Sequence, residues 1–204
     1  MCIRDRSSAA FFIVACLIVD GSCIEMRNVN INKFRTGIVT VLRGMGADIE
    51  ITDIKEVSNE VIGNIKVRHS KLKCADIKGE IIPSLIDELP ILFIACASAS
   101  GTSKISGIEE LRYKESDRIM AMENGLRAIG INVNSSKDSI EITGGKITGG
   151  KVDSYDDHRI AMSFVIAGLI SERSLTIMDT KNISTSFPTF VTILRELGVE
   201  IFEV

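Results

Sequence analysis

Leu126-Arg127-Ala128-Ile129-Gly130-Ile131-Asn132-Val133 is one of three copies of the same corner in this 204-residue chain. The other two run from Leu42 to Gly46, followed by Ile49-Glu50-Ile51, and from Leu194 to Gly198, followed by Val199-Glu200-Ile201. Each copy spells Leu-Arg, any residue, an apolar residue, then Gly. Gly ends a helix well because it enters the left-handed conformation without a Cβ penalty. The apolar alternation after it predicts a half-buried strand. A helix-to-strand corner that recurs three times sets the architecture before any other signal.

Upstream of every corner the order is also shared. An almost wholly apolar helical run comes first: Ala9–Val19, Ile91–Ala97 and Ile160–Ile170. A turn follows each, then a strand (Ser22–Met26, Ser103–Ile105, Leu175–Met178), a polar segment and the amphipathic helix that ends at the corner. Extra strands fill the longer spacers. The corner glycines are unequally spaced, so this is a pseudo-threefold domain and not a solenoid of fixed period. A helix that is apolar on every side is covered on every side. Three such helices with half-exposed strands predict helices in the middle and sheets outside.

Composition narrows the classes. An apolar fraction of 45% with 5% aromatics and no Trp means a core of Ile, Val, Leu, Ala and Met. A net charge of −3 argues against non-specific nucleic-acid binding. Five cysteines lack metal-like spacing, and neither His69 nor His158 lies near a Cys pair, so no metal site is expected. Cys16 and Cys96 fall inside apolar helices and read as buried free thiols of a reducing, cytoplasmic setting. Arg4 and Arg6 before Ala9–Val19 imitate a signal peptide. That run is far shorter than the ~20 residues a membrane span needs, and it has two internal counterparts, so it is read as a core helix. Residues 1–6 match nothing in the other units and read as an unrelated start; the domain is taken as residues 7–204.

The start of each buried helix is polar: Ser7-Ser8, Asp87-Glu88, and Asp156-Asp157-His158-Arg159. N-capping accounts for Ser7, Ser8 and Asp157. It does not account for Arg159, since a cation in the first turn opposes the helix dipole by about 0.3–1 kcal/mol. Either Arg159 is an ordinary surface residue or an anion binds at that helix end. A second cluster, Arg112-Tyr113-Lys114-Glu115-Ser116-Asp117-Arg118, precedes the middle amphipathic helix. If the first turn includes both, Lys114 and Arg118 lie four apart on one edge with Glu115 beside them. The readings left open are a phosphate or carboxylate site with a proton donor, and a solvated turn with local ion pairs. Lys33 and Arg35 form a weaker counterpart in the first unit, and Lys181 stands alone in the third.

Glu110-Leu111-Arg112-Tyr113-Lys114-Glu115-Ser116-Asp117-Arg118-Ile119 resembles a C-terminal signature of the 5-enolpyruvylshikimate-3-phosphate synthase family, and Asp157-His158-Arg159-Ile160-Ala161-Met162 resembles its second. Pro83 to Pro90, Ser7 to Phe12 and Thr185-Ser186-Phe187-Pro188 fit the same family in order and spacing. The resemblance implies a two-domain enzyme whose domains are inside-out α/β barrels of βαβαββ-like units with buried parallel helices. It implies that this chain is the C-terminal part, with the other domain and one strand of this domain absent, and that the fragment alone is inactive. The implied reaction joins shikimate 3-phosphate to phosphoenolpyruvate without a cofactor, in a protein expected to be cytoplasmic and monomeric, with neither membrane nor nucleic acid as partner.

By motif position the resemblance makes Asp87 the proton acceptor that also touches the 5-hydroxyl, and Glu115 the group that handles the methylene proton. Lys114 would contact shikimate 3-phosphate, while Arg118 and Arg159 would clamp phosphoenolpyruvate with His158 as a polar neighbour. Some members carry a Lys that contacts phosphoenolpyruvate where this chain has Thr185. The sister transferase acting on UDP-N-acetylglucosamine shares fold and donor, but the Lys114–Arg118 and Asp157–Arg159 sequences favour the shikimate branch. A non-catalytic repeat or binding domain is the other alternative, since fold alone does not imply function.

Overall fold

Gly46, Gly130 and Gly198 take φ of 96°, 86° and 90°, so all three corners turn through the left-handed region. The arginine of each corner has a common task. Arg43 donates to the Ile49 carbonyl at 2.8 Å, Arg127 to that of Val133 at 3.1 Å, and Arg195 to that of Ile201 at 3.0 Å. The Ala47, Ile131 and Val199 amides each return to the carbonyl of the corner leucine at 3.0 Å. Leu42 and Leu126 are fully buried and Leu194 nearly so. Each corner thus anchors its leucine in the core while its arginine fastens the outgoing chain.

The computed structural model describes residues 6–31, 37–57 and 60–202. Lys33, Arg35 and the start at Met1 to Asp5 lie outside these. The first unit holds α1 (Arg6–Ile18), β1 (Cys23–Asn30), α2 (Gly37–Gly44), β2 (Asp48–Val57) and β3 (Glu60–Arg68). The second holds β4 (Asp76–Ile77), α3 (Leu89–Ser98), β5 (Thr102–Ser106), α4 (Arg118–Ala128), β6 (Asn132–Ser135) and β7 (Ser139–Thr143). The third holds β8 (Gly150–Asp153), α5 (His158–Gly168), β9 (Leu175–Met178), α6 (Lys181–Ser186) and α7 (Phe190–Glu196).

The three apolar helices α1, α3 and α5 pack on one another, and the sheets lie outside them. From Leu89 to Ala97 every residue of α3 is buried, which is what an all-apolar helix requires. The strands β3 and β7 alternate buried and partly exposed residues, as a sheet with one wet face must. The middle sheet has the order β4-β5-β7-β6, with β4 parallel to β5 and the rest antiparallel. The first sheet, β1-β3-β2, repeats its last three strands, and the parallel pair β8-β9 repeats its first two.

Two expectations need correction. Val199-Glu200-Ile201 is not a strand, although Val199 and Ile201 are partly buried and Glu200 is exposed. A strand needs a hydrogen-bonded neighbour, and the described residues offer none beside this segment. Ser7 and Ser8 stand inside the first turn of α1 and not before it, because the helix already includes Arg6.

The ends of the ring of units meet through aromatic packing. Phe190 lies edge-on to Phe11 and Phe12 with centroids 5.9 and 5.8 Å apart, and Phe187 approaches Phe12 at 6.1 Å. The third unit is thereby closed against the first. Cys16 and Cys96 are buried free thiols, and burial pushes Cys96 up to about 12. Among the described residues no helix is long and apolar enough to cross a membrane.

Candidate active site

Asp117 decides where α4 begins. Its Oδ1 accepts from the Met120 amide at 3.0 Å, a helix cap, while Arg112 Nη1 donates to its Oδ2 at 2.7 Å. Arg112 also donates through Nε to the Lys137 carbonyl at 2.7 Å and through Nη2 to that of Ser136, so the cap is braced against the β6–β7 turn. Arg118 then falls in the first helical turn with its side chain only 1% exposed. Its Nε donates to Asp157 Oδ2 at 2.8 Å, and its Nη2 to Glu115 Oε2 at 2.5 Å. The third nitrogen, Nη1, is buried, lies 3.9 Å from Asp87 Oδ1 and has no hydrogen-bond partner. A buried donor without a hydrogen-bond acceptor is costly, and here only the 3.9 Å charge contact with Asp87 offsets it.

Asp157 faces Arg118 from the start of α5 and is fully buried. Its Oδ1 caps the helix, accepting from the Arg159 amide at 2.9 Å and the Ile160 amide at 3.4 Å. Its Oδ2 receives Arg118 Nε and the Ser116 hydroxyl, the latter at 3.1 Å. The turn before it is strained: Tyr155 and Asp156 take φ of 53° and 59°. That turn is held by Asp153 Oδ1, which accepts from the Tyr155 amide at 2.7 Å, and by Ser154 Oγ, which donates to the Asp179 carbonyl at 2.9 Å. The sequence points to Asp157 only as a cap. A cap uses one carboxylate oxygen, and the second, left without an assignment, was the available signal.

Burial alone would raise the Asp157 carboxyl, but the Arg118 guanidinium, the Arg159 amide and the Ser116 hydroxyl outweigh it and hold the group below the usual range. A carboxyl depressed in the folded state stabilises the fold above its unfolded value near ~3.9, and that contribution fades as pH falls through the lower folded value. We therefore expect Asp157→Asn to flatten the loss of urea stability between neutral pH and about pH 3. A mutant and parent with equal acid slopes would contradict this.

Asp87 immediately precedes Glu88 and α3, and its side chain is 48% exposed. Its main-chain carbonyl accepts from Arg159 Nη1 at 2.8 Å. Arg118 and Arg159, distant in sequence, thus both approach Asp87, one at the carboxylate and one at the backbone. Glu115 stands at the same place, half exposed and paired with Arg118. His158 opens α5; burial, then the adjacent Arg159 cation, push its imidazole below its ordinary range, which favours the uncharged form. Lys114 does not join Arg118 on a helix edge. The cap at Asp117 leaves Lys114 in extended backbone, with Nζ 2.5 Å from Glu110 Oε1.

The family model of EPSP synthase (3-phosphoshikimate 1-carboxyvinyltransferase) matches residues 1–194. The chain belongs to the EPSP synthase family. The 3-phosphoshikimate 1-carboxyvinyltransferase of Legionella pneumophila (strain Paris) is 48% identical over 199 residues, which are 98% of this chain and 46% of that protein. The enzyme of the same name from Geobacter metallireducens is 48% identical over 195 residues, with 95% and 46% covered. The chain spans about half the length of the curated relatives it matches. The solved EPSP synthase of Acinetobacter baumannii superposes with a TM-score of 0.91 at 41% identity, covering 94% of this chain and 45% of that one. The enolpyruvyl transferase NikO of Streptomyces tendae has a TM-score of 0.72 at 14% identity, covering 97% and 44%, a likeness of fold alone. The inside-out α/β architecture is therefore that of the EPSP synthase and enolpyruvyl transferase fold.

Thr185 is exposed on α6. Lys181 at the start of the same helix is exposed as well. Among the described residues no three His, Cys, Asp or Glu side chains stand together as a metal set would need.

Proposed function

We propose that a full-length protein carrying this chain transfers the enolpyruvyl group of phosphoenolpyruvate to the 5-hydroxyl of shikimate 3-phosphate and releases phosphate. The observation that carries this reading is the buried, unpartnered Arg118 Nη1 beside Asp87, with Arg159 fastened to the same residue. An anionic substrate supplies the acceptor that Nη1 lacks. The half-exposed Asp87 carboxylate accepts the proton of the attacking hydroxyl. Glu115, in its protonated form, delivers its proton to the methylene carbon as the new C–O bond forms and takes one back when the C–O bond to phosphate breaks and the double bond re-forms, while the proton held by Asp87 leaves with the phosphate. Arg118 and Arg159 hold phosphoenolpyruvate, and His158 is a polar neighbour. Lys114 contacts the 3-phosphate of the acceptor, exchanging its partner Glu110 for that dianion.

The remaining half of the full-length protein forms the opposite wall of the cleft, and the whole acts as a cytoplasmic monomer. The uneven strand sets of the first and third sheets support a domain completed by other residues. The 204-residue chain by itself is then expected to release no phosphate; measurable turnover from it would overturn the divided site. Arg159→Ala in the full-length protein is expected to weaken phosphoenolpyruvate binding by about tenfold or more, the worth of a charged hydrogen bond, with little change for shikimate 3-phosphate. Calorimetric titrations that weaken equally for both ligands would contradict the clamp.

A further inference from the structure

We infer that Asp157 is a positioning residue for the donor substrate: its two oxygens together tie the two cationic arms to one another. Oδ1 belongs to α5, where it caps the amides of Arg159 and Ile160. Oδ2 belongs to Arg118, where it accepts from Nε at 2.8 Å, supported by the Ser116 hydroxyl, and Oδ1 also accepts from Arg118 Nη2 at a longer 3.4 Å. One rigid, fully buried carboxylate thus sets where the Arg118 guanidinium lies relative to the first turn that bears Arg159. It also chooses which edge of the guanidinium is left over. Asp157 holds Nε through Oδ2 and shares Nη2 with Glu115, so Nη1 alone is presented toward Asp87. The strained Tyr155-Asp156 turn delivers Asp157 to this position. A plain cap needs neither the second oxygen nor an arginine from another helix.

This inference rests on the enolpyruvyl-transfer reading, and the experiment separates the two. Asp157→Asn is the informative change. An Asn oxygen at the Oδ1 position keeps the cap, and Asn is among the best N-cap residues. Its amide then sits where Oδ2 was and points a donor at the Arg118 Nε–H. The helix keeps its start while the Arg118 arm loses its short Nε anchor and keeps only the long 3.4 Å contact from Nη2 to the Oδ1 position.

In the full-length protein, steady-state kinetics with both substrates are compared with thermal melting. The expected result for Asp157→Asn is a KM for phosphoenolpyruvate raised about ten- to hundredfold, the loss of a charge-assisted hydrogen bond, with the KM for shikimate 3-phosphate within about twofold. If that variant does not fold, Ser116→Ala removes only the hydroxyl that steadies Oδ2. It is expected to raise the same KM severalfold, again selectively, with the melting temperature nearly unchanged. An unchanged KM for phosphoenolpyruvate in the folded variant, or equal losses for both substrates, overturns the positioning role. If the parent protein itself releases no phosphate from this pair of substrates, the enolpyruvyl-transfer reading falls instead.

Discussion

Asp87→Asn in a full-length protein carrying this chain is expected to slow phosphate release by about 10²–10⁴-fold, the usual worth of a positioned general base. The amide cannot accept a proton, so the hydroxyl would have to attack unaided. The fold has little reason to change. What Arg159 grips is the main-chain carbonyl of residue 87, which the substitution leaves in place. The carboxylate is nearly half exposed, and its 3.9 Å approach to Arg118 is too long for a hydrogen bond. Unfolding in urea is therefore expected to shift by less than about 1 kcal/mol. Near-parental turnover in the variant would remove Asp87 from the base role.

Arg118→Ala is expected to act on stability as strongly as on chemistry. The guanidinium is 1% exposed and its partner Asp157 is wholly enclosed, so this is a buried pair and not a surface one. Removing one member strands the other, which costs about 3–5 kcal/mol. The two helix amides and the Ser116 hydroxyl still reach the carboxylate, and they place the expected loss toward the lower figure. Arg118→Lys should recover only part, because a compact ammonium cannot serve Asp157 and Glu115 together in the planar manner of a guanidinium. Arg27, a solvent-facing partner of Glu25, is the comparison: Arg27→Ala should leave the urea midpoint where it was. If Arg118→Ala unfolded at the same midpoint as Arg27→Ala, the enclosed pair would not be contributing to the fold.

The three corners were legible because their information is local. A glycine at φ near 90° and a leucine one turn before it need no distant partner to be recognised. The all-apolar helices were legible for a similar reason, since composition alone requires them to be covered. The strand expected at Val199-Glu200-Ile201 failed because a strand is a property of pairs. Its alternation matches that of Ile131-Asn132-Val133, yet Val133 faces Ile142 across a ladder and Val199 faces no strand among the described residues.

The site divides along the same line. Arg118 and Arg159 both reach Asp87, one near its carboxylate and one at its main-chain carbonyl, contacts that span the chain and that no local pattern displays. Hydrogen-bond partners were no more visible. Lys114 pairs with Glu110, a competition between neighbours four apart that side-chain geometry decides. Asp157 is read from sequence as a cap, because the ion pair to Arg118 spans two helices that only the folded core brings side by side.

Phe187 and Phe190 rest on Phe11 and Phe12, so α1 is roofed by residues far downstream of it in the chain. During synthesis that aromatic face must wait, wet and adhesive, until those two rings emerge from the ribosome. A product cut short after Met178 would keep its sheets but lose the roof, and its molecules would clump through the bared phenyl groups.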